Sequence, residues 1–238
     1  MRSVRSSFAL CALTFILCTT ARAADLGPPL PPLPQVVEAP RWESSGWYTR
    51  LDASYRFNRI GSVSALIPPD PTNNRIENSG GFGVGAGFKM GWFRTDLTVD
   101  YGLLSQYWGD TPVLANNYTL SVESFTGLVN GYVDLGTWHR ITPYVGAGVG
   151  ASYLRTSKFT THSILPASVT APSYGQWTFS WAAMAGLSFA VTRSVSLDVG
   201  YRHLALGTAK TAPDVFGNSL SLRNLSAEEV RLGLRVQM

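Results

Sequence analysis

Few residues in this 238-residue sequence have the type and the company that chemistry requires. Its three histidines, His139, His162 and His203, are widely spaced, and none has a nucleophile and an orienting group indicated beside it. Both cysteines, Cys11 and Cys18, sit near the start, so the remainder holds no disulfide, thiolate metal site or cysteine nucleophile. The glycine-rich stretches Gly81–Gly91 and Gly146–Gly150 alternate with other residues and precede no helix, unlike a loop that cradles phosphate. More informative is a set of charges at alternate positions: Arg50, Asp52, Arg56, Arg94, Asp96, Asp100, Asp134, Asp198, Arg202, Glu229, Arg231 and Arg235. Opposite signs enclosed on one face offset the cost of burying each charge. The chemistry expected of them is electrostatic: a paired network filling an interior or, alternatively, the lining of a narrow water path. No catalytic, cofactor-binding or metal site is expected, and the chain is not expected to be an enzyme.

The elements that must position these charges alternate with period two, the signature of strands. In the first, Trp47, Thr49, Leu51, Ala53, Tyr55 and Phe57 oppose Tyr48, Arg50, Asp52, Ser54 and Arg56. Similar segments follow at Gly81–Trp92, Phe93–Tyr101, about Thr119–Leu135, Ile141–Leu154, about Gln176–Ala190, Val195–Arg202 and Glu229–Met238. The fourth is ambiguous in its first half, where Glu123 falls on the apolar side. Eight segments result, joined by short connections near Gly91, at Gly136–Arg140 and at Thr192–Ser194. They alternate with long connections, Arg59–Ser79, Leu104–Tyr118, Arg155–Ser173 and Ala205–Leu222. Short turns at one end and long loops at the other suit an eight-stranded antiparallel up-and-down transmembrane β-barrel, an all-β fold.

Residues 1–23 read as a secretory signal peptide: Arg2 and Arg5, an apolar run from Phe8 to Cys18, then Ala21-Arg22-Ala23, with cleavage expected before Ala24. Residues 24–45 read as a proline-rich periplasmic linker, and 46–238 as the barrel. The sequence has 19 Lys+Arg against 15 Asp+Glu. Without Arg2, Arg5 and Arg22 the balance is 16 to 15, a net charge of +1, so the basic excess is no sign of nucleic-acid binding.

Alternation alone leaves open which face is outside. A soluble, lipocalin-like ligand-binding barrel would turn the apolar face inward. Against it, only Lys89, Lys158 and Lys210 follow the leader, too few lysines for a wet exterior. Aromatic residues also gather at segment ends, Trp47, Trp92, Phe93 and Trp138 at the short turns and Tyr101, Tyr107, Trp108 and Tyr153 at the other side. Two such girdles mark the lipid–water boundaries of a membrane barrel.

These residues resemble the outer-membrane β-barrel family of Gram-negative bacteria that includes the small porin-like and opacity proteins and the membrane domain of outer membrane protein A. The resemblance is carried by Gly46-Trp47-Tyr48, Phe93–Gly102, Leu128–Gly136, Thr142–Gly150, Ser196–Leu204 and Glu229–Met238. It implies localisation in the cell outer membrane and contact with its lipid and lipopolysaccharide. It also implies assembly by the barrel-assembly machinery, which reads the C-terminal strand. Members of that family usually end in an aromatic residue, whereas this sequence ends in Met238 and keeps Leu232, Leu234 and Val236. Barrel lipid A deacylases place a serine after their catalytic histidine, and here Leu204 and Ala205 follow His203. The implied role is structural, in envelope integrity and in surface-loop interaction with a ligand unknown from sequence; a narrow porin-like diffusion channel is the alternative.

Overall fold

The computed structural model describes residues 45–66, 69–111, 116–162, 169–215 and 217–238. The expected signal peptide and the linker up to residue 44 lie outside them. Among the described residues there are eleven strands: β1 (Gly46–Arg59), β2 (Ser62–Ala65), β3 (Thr72–Ile76), β4 (Ser79–Met90), β5 (Phe93–Thr111), β6 (Asn116–Asp134), β7 (Ile141–His162), β8 (Val169–Thr170), β9 (Tyr174–Ala190), β10 (Val195–Lys210) and β11 (Leu220–Gln237). Eight of them, β1, β4, β5, β6, β7, β9, β10 and β11, pair antiparallel in that order. The ring closes where β1 pairs with β11, from Tyr48 opposite Gln237 to Arg59 opposite Ser226. The short strands β2, β3 and β8 lie against the upper parts of β11, β5 and β7, at the long-loop end.

The wall is inside out relative to a soluble barrel. Leu51, Val84, Leu97, Val129, Val149, Phe179 and Leu232 all point outward, each between 52% and 69% exposed. The alternate positions are buried, and the soluble ligand-binding alternative is overturned: in water this apolar band would stand unpaid, while in lipid it is the favourable surface. On β1 the band runs from Trp47 to Phe57, roughly 33 Å of strand, which at a tilt of ~40° gives about 25 Å across the membrane.

The upper strands depart from the sequence expectation. Much of the four long connections is paired strand, so β5, β6, β7, β10 and β11 continue well beyond the apolar band. The ladders slip between Gly102 and Ser105, near Lys158, around Gly207 and between Leu222 and Leu225. At Lys158 (φ 53°), Gly207 (φ 84°) and Asn224 (φ 54°) the backbone turns left-handed, the conformation found in one type of β-bulge. One extra residue exchanges the inward and outward sets. On β11, Glu229, Ala227 and Leu225 face in below Asn224, and Leu222 and Leu220 face in above it. Reading by a fixed period of two loses the strand at that point. Glu123 is resolved too: β6 keeps even positions inward from Tyr118 to Asp134, so Glu123 faces out, opposite Arg155 of β7 and two positions above Phe125.

Candidate functional site

The candidate site is the barrel interior. All twelve charges singled out in the sequence are buried there, none more than 8% exposed. With Lys89 they form two chains of ion pairs. The shorter one lies at the short-turn end. Asp134 takes Lys89 Nζ at 2.8 Å and Arg94 Nη2 at 2.8 Å. Asp198 sits 4.0 Å from Arg94 and 3.5 Å from Arg235. The Arg94 guanidinium lies over the rings of Tyr132 and Tyr144, 5.1 Å and 4.8 Å from their centroids, a position in which the ring quadrupole favours the cation. Arg235 stacks over Tyr48 and donates to Ser188 Oγ at 2.7 Å.

The longer chain climbs the lumen. Arg50 bridges Asp52 at 2.7 Å and Asp96 at 3.1 Å. Arg231 bridges Asp52 at 3.1 Å and Asp100 at 3.0 Å. Arg202 joins Asp100 at 2.9 Å to Glu229 at 2.7 Å, and Arg56 meets Glu229 at 2.9 Å and donates to Ser124 Oγ at 3.0 Å. Tyr48 and Asn130 donate to the two oxygens of Asp96 at 3.0 Å and 2.7 Å. Six arginines thus face six carboxylates, with neutral donors completing the acceptors. Facing glycines supply the room: a Cβ on Gly83 would lie 2.3 Å from Asp100 Oδ1, and one on Gly233 2.5 Å from Asp52 Oδ1.

Above the charges the same faces turn apolar. Leu154, Leu204 and Leu222 are at most 1% exposed and pack with Leu206, Leu225, Val122 and Leu120, while buried Leu128 sits lower, opposite Thr98 between the levels of Asp96 and Asp100. Tyr118 and Phe159 stack above them, 6.1 Å apart and 10° from parallel. The interior therefore has two layers, ionic below and hydrocarbon above. The gap beside Arg50, Tyr132, Asp198 and Arg202 leaves water about 10 Å³, and the one beside Arg56, Ser105, Val122 and Leu225 about 20 Å³. Each is room for roughly a single molecule.

Sequence reasoning did not single out Lys89, Tyr48, Tyr132, Tyr144 or Asn130 as members of this interior, nor the apolar layer. A signal existed on β10, where the face carrying Asp198 and Arg202 continues with Leu204 and Leu206. Of the aromatic set, Trp47, Trp92, Phe93 and Trp138 stand outward at the short-turn end, and Tyr101 and Tyr153 meet the ring of outward aromatics at the other, level with Phe125. Trp108 needs correction. It lies seven residues beyond Tyr101, roughly 20 Å further along β5, half covered opposite Arg75 of β3, and so above that belt. Tyr107 is also corrected: it is fully buried and faces inward.

A closed antiparallel ring with a lipid-facing apolar band and a packed polar interior defines an integral membrane barrel. Residues 10–234 match the outer membrane protein beta-barrel domain, and the chain belongs to that family of outer-membrane proteins. It is 32% identical to an uncharacterized protein of Brucella abortus over 235 residues, covering 82% of this chain and 81% of the relative. It is 24% identical to the 25 kDa outer-membrane immunogenic protein of Brucella abortus, covering 98% of each. Among solved structures it is similar in fold to the outer membrane protein OprG from Pseudomonas aeruginosa, with a TM-score of 0.53, 11% identity, and coverage of 82% of this chain and 98% of that one.

Proposed function

We propose that the protein is a closed, load-carrying component of the outer membrane, its charged lumen a structural lock and its raised strands a platform for surface interaction. The short-turn end faces the periplasm and the long-loop end faces outward. The observation that carries this reading is the filled interior: six arginines and Lys89 face six carboxylates, buried leucines pack over them, and the gaps beside the charges leave room for about one water each. Envelope integrity then comes from a rigid cylinder that anchors lipid on its outer face. The C-terminal strand, with Val236, Leu234 and Leu232 outward, is the segment offered to the barrel-assembly machinery.

The competing diffusion-channel reading makes a different electrical prediction. Refolded protein in a planar bilayer should be silent, and Arg94→Ala and Asp96→Asn should be silent too, because the leucine layer remains above them. Steady conductance in the parent protein that shifts in either variant would replace the lock with a charged pore lining. Heat-modifiable migration on a gel verifies that each barrel has closed before the recording.

A further inference from the structure

The longer chain of ion pairs runs from Asp96 up to Arg56, acid and base by turns, so it begins on an anion and ends on a cation. Its lower end is satisfied, because the two oxygens of Asp96 take Tyr48 and Asn130 as well as Arg50. The upper end is not. Arg56 is 2% exposed, and Glu229, its carboxylate neighbour, is shared with Arg202. Arg56 Nε stands 2.9 Å from Glu229 but out of hydrogen-bond alignment. Nη1 donates to Ser124 Oγ, and Nη2 has no hydrogen-bond partner among the described residues. A buried, charged N–H without an acceptor is a costly group to leave in a folded interior.

The gap of about 20 Å³ that Arg56 lines lies where the ionic layer meets the leucines. Four strands contribute to it. Ser79 of β4 stands opposite Arg56 of β1, and the next two strands supply Ser105 and Ser124. All three serines are buried. Asn58 Nδ2 donates to Ser79 Oγ at 3.0 Å and to Ser105 Oγ at 2.7 Å, while Arg56 donates to Ser124 Oγ at 3.0 Å. Each hydroxyl is thus already an acceptor, and among the described residues none has an acceptor for its own proton. A serine hydroxyl has one proton to give. Three O–H groups and a charged N–H therefore share one small space, closed above by apolar side chains. Among the described residues Glu123 is the acid that borders it, and its side chain faces outward opposite Arg155. The volume suits a single water or a single small ion. Water would leave the cation at the end of the chain uncompensated, whereas an anion continues the alternation by one step.

We infer that this gap is a binding site for one small monovalent anion of halide type, held by Arg56 and the hydroxyls of Ser79, Ser105 and Ser124. Such an ion ties β1, β4, β5 and β6 together at the level where the ion pairs end. The test compares sodium chloride with sodium gluconate, whose anion is too large for the gap, at equal ionic strength. Urea unfolding of the refolded protein in zwitterionic micelles is followed by heat-modifiable migration. Chloride at about ten times its dissociation constant should raise the folded-to-unfolded ratio about tenfold, and the response should saturate. The double variant S79A/S105A should still migrate as a closed barrel in gluconate and lose most of the chloride response. S180A removes a lumen hydroxyl that bonds Ser152 and does not line the gap, and it should respond as the parent does. Crystals of the parent grown in bromide then locate the ion, with an anomalous peak expected in contact with Arg56 Nη2. A chloride response that is absent or fails to saturate would overturn the site. So would a response unchanged in S79A/S105A, one lost equally in S180A, or bromide found only at exposed cations. The bromide experiment decides the matter alone should the double variant fail to close.

Discussion

Replacing Glu229 by alanine should destabilise the barrel by about 3–5 kcal/mol, the cost of removing one partner from a buried ion pair. Glu229 is fully buried and is the acid between Arg56, 2.9 Å away, and Arg202, 2.7 Å away. Without it Arg56 has no carboxylate, and Arg202 keeps only Asp100, which already serves Arg231. Two guanidiniums would then face each other in a space with no room to hydrate both. Urea unfolding in lipid vesicles, followed by the loss of heat-modifiable migration, measures the effect; Lys158→Ala, on an exposed residue, provides the reference. Glu229→Gln should fall between the two, since it keeps a neutral acceptor. A midpoint for Glu229→Ala equal to that of the parent would mean that the ion pairs fill space without holding the wall.

Gly150→Ala should be nearly as severe for a different reason. A Cβ at this inward position of β7 would stand 2.0 Å from the carbonyl oxygen of Gly127 on β6, and backbone cannot step aside as a side-chain end can. Overpacking that requires backbone movement typically costs about 1–3 kcal/mol; here the moved backbone belongs to the β6–β7 ladder, so the figure should lie at the upper end. By contrast, Gly127→Ala, where an added Cβ meets nothing within 4 Å, should be close to neutral. The pair of variants, measured by the same urea assay, separates close backbone approach from the general cost of replacing glycine in a strand. Equal midpoints for the two would remove the steric explanation.

Much of this architecture was legible because the membrane writes itself into a strand with little ambiguity. Leu51, Ala53 and Tyr55 against Asp52, Ser54 and Arg56 declare two faces, and the shortage of lysine declares which face meets lipid. Membership of the twelve charges on one face followed from the same period. Their partners did not. Asp100 and Arg231 are 131 positions apart, and only the stagger of eight tilted strands brings them to 3.0 Å. The upper barrel was hidden for a physical reason as well. Beyond the lipid the solvent changes from hydrocarbon to water, so the apolar residues move to the inside. The bulges at Lys158, Gly207 and Asn224 shift the alternation in the same region. Two changes of phase within a few residues look like irregular loop. Tyr107 was misplaced for that reason, since the slip after Gly102 turns it inward, and Trp108 because the connection it was assigned to is strand that carries it above the belt.

The raised strands have an immunological consequence. A surface patch built on β5 to β7 above the lipid draws neighbouring side chains from different strands, as Glu123 and Arg155 show by facing each other across the ladder. An antibody fitted to such a patch recognises an assembled epitope, with most of its ordering entropy already settled by folding. A synthetic peptide copying residues 104–118 would keep the pairs from Gly109–Tyr118 to Thr111–Asn116 but lose the partners that β3, β7 and the rest of β6 supply, and should compete poorly, whereas the refolded barrel should compete fully. Vaccine or diagnostic use of this surface therefore calls for the closed cylinder rather than its fragments.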